Sequence, residues 1–478
     1  MDTLNARLFS KIAIAALTVL LVFSAVFYLQ RIIFSDASFI LYNIINSGKF
    51  SIQEHRYGSF ITQMFPLISS HAKLPLNIVI FLYSISFNLF FLFTALVLHR
   101  IRQYDFVLLL AFYFTACVTE TFYWSNNEVH QGIAWMLLTF GFLFYAHEKN
   151  KKNLFILPLF TVLAFLALFS HPIIIIVSAA IFLYYFLEKK VFFWDRQTLI
   201  YLVIIIFLVA AKTYLSATGS YDKSKMGTLA HSIAIKNFIK VFGSSTAHDF
   251  VKSCIQDYWQ FLLFFCSGIM FLLLQKRYKI LAWTLVTVLV YFMCICIIYP
   301  ESEYKFYIES EWMSISIFAL LPFVRFVLPA INVKVAACLI LAFFSMRLIQ
   351  ILNSSEKFTE RLNEVKRITQ VLQKNNIPKA IIENTGNNHK MLSTLTMSWG
   401  LPLETLIYSN IDRSKMPVTA ILVPQSDVKN KLKESGTHDY INPFWNQWHT
   451  ELNADYFHID TSKPYVVLTD SLTLKTRE

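Results

Sequence analysis

Little of this sequence is charged. Of 478 residues, 15% are Asp, Glu, Lys or Arg, 56% are hydrophobic, and the mean hydropathy is +0.51. A water-soluble chain of this length carries enough polar surface to hold that index below zero. The composition therefore excludes an ordinary soluble globule and points to an integral membrane protein. Glycine is scarce as well, at 11 residues, and nowhere gathers into a phosphate-cradling loop. Cysteine is rarer still. Five of the six (Cys117, Cys266, Cys294, Cys296, Cys338) fall inside apolar stretches and Cys254 stands apart, which leaves no basis for a disulfide framework. There is no Cys/His metal spacing and no internal repeat. The net charge of +12 is no argument for nucleic acid: residues 353–478 hold 15 basic against 14 acidic residues, so the excess sits in the apolar part, where it orients helices.

Apolar residues and aromatics fill the space left by charge. Phenylalanine alone contributes 46 residues, as suits lipid-facing helices and interfacial belts. At about 20 apolar residues per crossing, eleven spans are expected: 8–29, 76–98, 106–123, 131–147, 154–170, 172–188, 198–215, 259–275, 280–299, 312–328 and 334–352. The first is too long for a signal-peptide core and lacks a small-residue cleavage site, so it reads as an anchor. Between 154 and 188 the sole break is "SHP", where Pro172 disfavours helix at the residue before it. With the N-terminus inside, the short cytoplasmic loops "HRIRQYD", "HEKNKKN", "EKKVFFWDR" and "QKRYK" are rich in Lys or Arg. The short outer loops "WSNNEVHQ", "SHP" and "PESEYKFYIESE" hold one Lys, Lys305, in keeping with the positive-inside rule.

Two longer loops, 30–75 and 216–258, also fall outside. The spacing of Phe39, Ile40, Leu41, Ile44 and Ile45 predicts a short helix lying flat in the interface. Phe60, Ile61, Met64 and Phe65 predict a second. A third is expected over 228–242, with Lys236 and Lys240 turned to anionic lipid head groups. After Leu352 hydropathy drops. "SEKFTERLNEVKRITQVLQKNN" reads as an amphipathic helix, and "KAIIEN", "VTAILVP" and "YVVLTD" as buried strands, with a helix around 388–400. The expected fold is mainly α: a polytopic bundle over 1–352 and a small extracytoplasmic α/β domain over 353–478.

The concentrated polar chemistry lies on the outer face. Asp36, Glu54, His55 and Arg56 belong to the first loop. Glu128 and His130 stand in "NNEVH", His171 at a hairpin tip, and Lys212 at the end of the seventh span. Glu301, Glu303, Lys305, Glu309 and Glu311 crowd the loop before the tenth. Acids and bases gathered at one membrane face suit chemistry on a lipid-linked head group: a carboxylate takes the proton of an acceptor hydroxyl, and cationic side chains stabilise a departing phosphate.

The order of an N-terminal span, a loop with an early acid in "SDAS", two juxtamembrane helices, a second acid in "NNEVH", further spans and an outer C-terminal domain resembles the GT-C glycosyltransferase superfamily. Its layout over roughly residues 8–350 is most similar to the protein O-mannosyltransferases and the bacterial aminoarabinose transferases of lipid A. Many members carry two adjacent acids where "SDAS" has one. The resemblance implies a polyprenyl-phosphate sugar donor, a lipid, glycan or protein acceptor, and a multi-pass enzyme of the inner (plasma) membrane. It implies Asp36 as catalytic base and Glu128 as the second acid, which in some relatives binds a metal. Arg56, His55, His130, His171, Lys212 and Lys305 are the candidates for the substrate and its phosphate. No residue is assigned as a metal ligand, and a divalent cation, Mg or Mn, stays open.

Plainer readings stand beside these. Asp36 could cap the helix that begins near Ser38. Glu128 and His130 could be solvated, His171 a turn residue, Lys212 a snorkelling lysine, and Arg56 a partner of lipid phosphates. The acidic run 301–311 reads as a solvated loop rather than a metal site. At the level of function, a lipid transporter or flippase is the alternative, although polar groups near the midplane are expected there and the spans here hold almost none. An O-antigen polymerase or ligase would present arginine-rich outer loops; here they hold few, Arg31 and Arg56.

Overall fold

The computed structural model describes residues 3–125, 128–148, 156–189, 196–218, 223–225, 227, 241–301, 303–436, 438–460 and 462–472. The chain is mostly helical. Among the described residues seven helices are long and apolar enough to cross a membrane: Leu4–Val26, Leu76–Arg100, Glu128–His147, Leu199–Thr218, Tyr278–Ile298, Lys305–Ala330 and Val333–Lys374. The pair Ser245–Gln256 and Trp259–Leu274, bent by 90°, makes an eighth if it is one span. All eleven apolar segments contain helix, but Tyr104–Tyr113, Leu157–Leu168 and Ile173–Glu188 are shorter. By length and composition alone, seven or eight of these qualify as spans. The expected break at 170–172 is present, between helices that end at Leu168 and begin at Ile173.

The shortening at Tyr113 has a visible cause. Residues 114–120 leave the helix inside the protein, where unpaired backbone groups are costly. Two buried charges satisfy them. Arg347 donates from Nε to the Thr115 carbonyl at 2.8 Å and from Nη2 to the Val118 carbonyl at 2.6 Å, and its Nη1 reaches the Asp257 carbonyl. The Glu309 carboxylate accepts from the Thr119 and Thr121 N–H groups at 3.0 and 2.8 Å, and from the hydroxyls of Thr119 and Tyr258. Irregular backbone persists where protein groups replace its helical bonds. Two expectations are corrected here. The run 301–311 is not a solvated loop throughout, because a helix Lys305–Pro322 begins within it and buries Glu309 and Glu311. Nor are the helices free of charge, since Arg347 and Glu309 are fully buried. Arg31, read as an outer-loop arginine, is buried too and donates to Ser84, Asn88 and the Phe122 carbonyl.

The helix Ser35–Ser47 does not lie open at an interface. Its apolar residues Phe39, Ile40, Leu41, Ile44 and Ile45 are buried, and residues of the C-terminal segment cover it. Tyr42 donates to Gln447, Asn46 to the Glu451 carbonyl, and Phe39 meets Trp399 and Phe444 edge-on. Helical periodicity marks an apolar face without saying what covers it. The second short helix is present as Phe60–His71. Most of 228–242, with Lys236 and Lys240, lies outside the described residues.

The helix Val333–Asn353 passes into Ser355–Lys374, which leads to the strands. β1 (Lys379–Asn384) lies between β2 (Thr419–Pro424) and β5 (Val466–Thr469), all parallel, with Ile381 opposite Ile421 and Val467. β3 (Asp439–Ile441) and β4 (Asn446–Trp448) form a separate antiparallel pair. The three strands read from sequence are these three. Between β1 and β2 stand His389–Thr394, a turn at Ser398–Gly400 and Leu401–Ser409.

Candidate functional site

A cavity of about 600 Å³ is lined by Asp36, Gln53, Glu54, Arg56, Trp124, Glu128, His171, Tyr299, Tyr307, Glu311, Met397 and Trp399. Four of the candidates read from sequence, Asp36, Arg56, Glu128 and His171, thus share one space, although they come from four separate stretches of chain.

Asp36 stands in the first turn of its helix, where the helix dipole favours an acid. It is not the cap. Phe34 occupies that position and makes no side-chain bond. The Asp36 carboxylate instead faces the cavity and accepts from Trp124 Nε1 at 2.8 Å. Loss of solvent pushes its pKa up to about 6. The Trp124 bond opposes that rise, and the Glu128 charge adds to it. At neutral pH the group is mainly ionised, yet close enough to pH 7 to take a proton.

Arg56 and Glu128 hold each other across the site, with Nη1 to Oε2 at 3.1 Å. Both are largely buried, so neither is a freely solvated loop residue. His171 sits in the turn before Ile173, whose N–H its Nδ1 accepts at 3.3 Å. The turn reading is therefore correct as far as it goes, and the ring also faces the cavity. With Nδ1 accepting, the neutral ring carries its proton on Nε2. Burial, with Arg56 and Lys212 nearby, holds the imidazole pKa well below its usual value. The ring is thus a neutral donor rather than a cation.

The remaining candidates lie elsewhere. His55 is half-buried in left-handed backbone, 3.3 Å from the Tyr57 hydroxyl and off the cavity wall. His130 is buried 2.8 Å from the Tyr113 hydroxyl and lines a separate void of about 30 Å³ beside Arg31. Lys212 does not snorkel: it is fully buried and donates from Nζ to the Glu54 carbonyl at 3.1 Å, behind the wall. Lys305 is held by Asp257 at 2.8 Å and does not line the cavity.

Sequence reasoning missed the aromatic wall of Trp124, Tyr299, Tyr307 and Trp399, and it left Glu311 in a loop. Glu311 is 4% exposed, and among the described residues its Oε2 has no hydrogen-bond partner. A hint was present in "IESEWM", where Glu309 and Glu311 are two apart on a helix and so point in different directions. One turns to the unwound backbone and the other to the cavity. Among the described residues no group of three or more His, Cys, Asp or Glu is placed to hold a metal ion, and Glu128 is engaged by Arg56.

The site thus offers an ionisable carboxylate, a buried guanidinium–carboxylate pair, a neutral imidazole donor and flat aromatic faces. It can take up a proton, orient a polyhydroxylated ligand and meet a developing anion. No family model, curated protein or solved structure matches the chain.

Proposed function

We propose that this protein is an integral membrane glycosyltransferase of GT-C type, crossing the plasma membrane through all eleven apolar segments with its cavity and C-terminal domain outside. It moves a sugar from a polyprenyl-phosphate carrier to a lipid, glycan or protein hydroxyl. The acceptor oxygen attacks the anomeric carbon while its proton passes to Asp36. The bond from that carbon to the phosphate oxygen breaks, its electron pair leaves with the lipid phosphate, and configuration inverts. Arg56 and the His171 Nε2–H are the donors available to the departing phosphate. Trp124, Tyr307 and Trp399 supply faces for a sugar ring. The observation that carries the reading is the convergence of Asp36, Arg56, Glu128 and His171 on one cavity.

Transport is the second reading, because the unwound stretch 114–120 and the bent pair 245–274 resemble the broken helices of transporters. In such proteins the freed carbonyls coordinate ions. Here Arg347 takes those of Thr115 and Val118, which favours the enzyme. The test is to incubate the purified protein, in lipid nanodiscs, with a panel of undecaprenyl- and dolichyl-phosphate sugars and acceptor-bearing membrane extract. Release of free polyprenyl phosphate is expected. Intact donor across the panel, together with donor flipping in liposomes, would replace this reading with transport.

A further inference from the structure

The helix that carries Asp36 starts from an unfavourable conformation. Its first residue, Ser35, has φ +36°, a region that residues other than glycine avoid. Strain of this kind persists where neighbours hold it in place, and here the neighbours belong to the C-terminal domain. Glu404, on the helix Leu401–Ser409, is fully buried. Its Oε1 accepts from the Ser35 N–H at 2.6 Å and from Arg361 Nη2 at 2.8 Å. Its Oε2 lies 2.8 Å from Arg361 Nη1. That guanidinium covers the Phe34 ring at 4.5 Å and reaches the Ile33 carbonyl at 3.4 Å. Gly400 fits against the same point, where a Cβ would stand 2.6 Å from the Ser35 Cα. Met397 and Trp399, just ahead of it, line the cavity that Asp36 faces.

We propose that the C-terminal domain is part of the site, and that Glu404 is a positioning residue which, through the Ser35 N–H, fixes where the Asp36 carboxylate stands in the cavity. The proposal rests on the reading of Asp36 as the base. Arg361 keeps the Glu404 carboxylate aimed, and Gly400 allows the two segments to approach. Loss of the Glu404 carboxylate releases Ser35 from its left-handed turn, and the first turn of the Asp36 helix rewinds. The carboxylate then draws away from Trp124.

Trp124 gives a readout that needs no substrate, because its Nε1–H donates to Asp36. The full-length protein in detergent is titrated from pH 4 to 8, and the emission of its W124F variant is subtracted. Glu54, Arg56, Glu128, His171, Glu311, Tyr299 and Tyr307 face the same cavity, so D36N identifies the step that belongs to Asp36. In the native protein that step is expected near pH 6. In folded E404M, whose side chain has no oxygen to accept from the Ser35 N–H, its amplitude is expected to fall at least about twofold, or its midpoint to move by at least about half a pH unit toward the ordinary carboxylate value. Adding S35G should restore it, since glycine adopts the left-handed turn unaided. A general loss of domain packing would not be rescued by that change. If E404M does not fold, E404D is read, which keeps a charge beside Arg361 and withdraws it from Ser35. A native step in either folded variant overturns the proposal. So does failure of both to fold, which would make Glu404 a folding determinant. An altered step in a protein with no transferase turnover retires the glycosyltransferase reading and leaves the positioning intact.

Discussion

Replacing Asp36 with asparagine is expected to stabilise the protein at neutral pH. Burial raises the carboxyl pKa from 3.8 to about 6. The folded state therefore binds this proton more tightly than the unfolded chain does. Below about pH 3 both states are protonated and Asp36 costs nothing. As pH rises from there toward 6, the unfolded chain has released the proton and the folded protein has not, so stability falls; above 6 the deficit is constant. Each pK unit is worth about 1.4 kcal/mol, and water in the cavity screens part of it, leaving a cost of about 1–3 kcal/mol at pH 7.5. The amide of D36N would still accept from Trp124 and would carry no charge into the site. Unfolding of detergent-solubilised protein, followed at pH 4 and pH 7.5, should show D36N more stable at the higher pH and within about 0.6 kcal/mol of wild type at the lower. Equal or lower stability of D36N at pH 7.5, or a gap that does not change with pH, would refute the reasoning. A residue that costs its fold stability is the kind kept for its chemistry.

R347M should lower the unfolding midpoint by roughly 3–10 °C, because the Thr115 and Val118 carbonyls are left buried without donors at about 1–3 kcal/mol each; a shift under about 1 °C in a thermal melt would show that water or other donors replace it. E128Q removes a charge that holds the Asp36 pKa up, so the acidic limb of the pH–rate profile should move to lower pH, by less than about one unit. A limb that stays in place would separate the two carboxylates. S426C, at an exposed position, should react with a membrane-impermeant thiol reagent added outside intact cells; reaction only after permeabilisation would invert the topology.

Much of the architecture was legible because it depends on local pattern. Apolar runs mark helices, and "KAIIEN", "VTAILVP" and "YVVLTD" mark strands, through short-range composition alone. What stayed hidden depends on contacts distant in sequence. Helix 104–113 stops early because Arg347 and Glu309, more than 180 residues on, satisfy the backbone that follows it. The face of Ser35–Ser47 reads as membrane-facing because a lipid surface and a protein surface ask for the same spacing; Trp399 and Phe444 decide between them. Within the site, the polar residues read as candidates include Asp36, Arg56, Glu128 and His171, which line one cavity, and scarcity of cations pointed to Arg56. It failed for Lys305, whose ammonium is taken by Asp257. It also passed over the aromatic wall, since tryptophan and tyrosine are common in a chain so rich in rings.

The most direct test of the central claim compares the transfer rate of wild type and D36N, purified and reconstituted with a turned-over polyprenyl-phosphate sugar. General-base catalysis contributes about 10²–10⁴ to a rate, so D36N should bind donor as wild type does and transfer at least ~100-fold more slowly. Near-normal turnover by a folded D36N would contradict the account and leave Asp36 without a part in the chemistry.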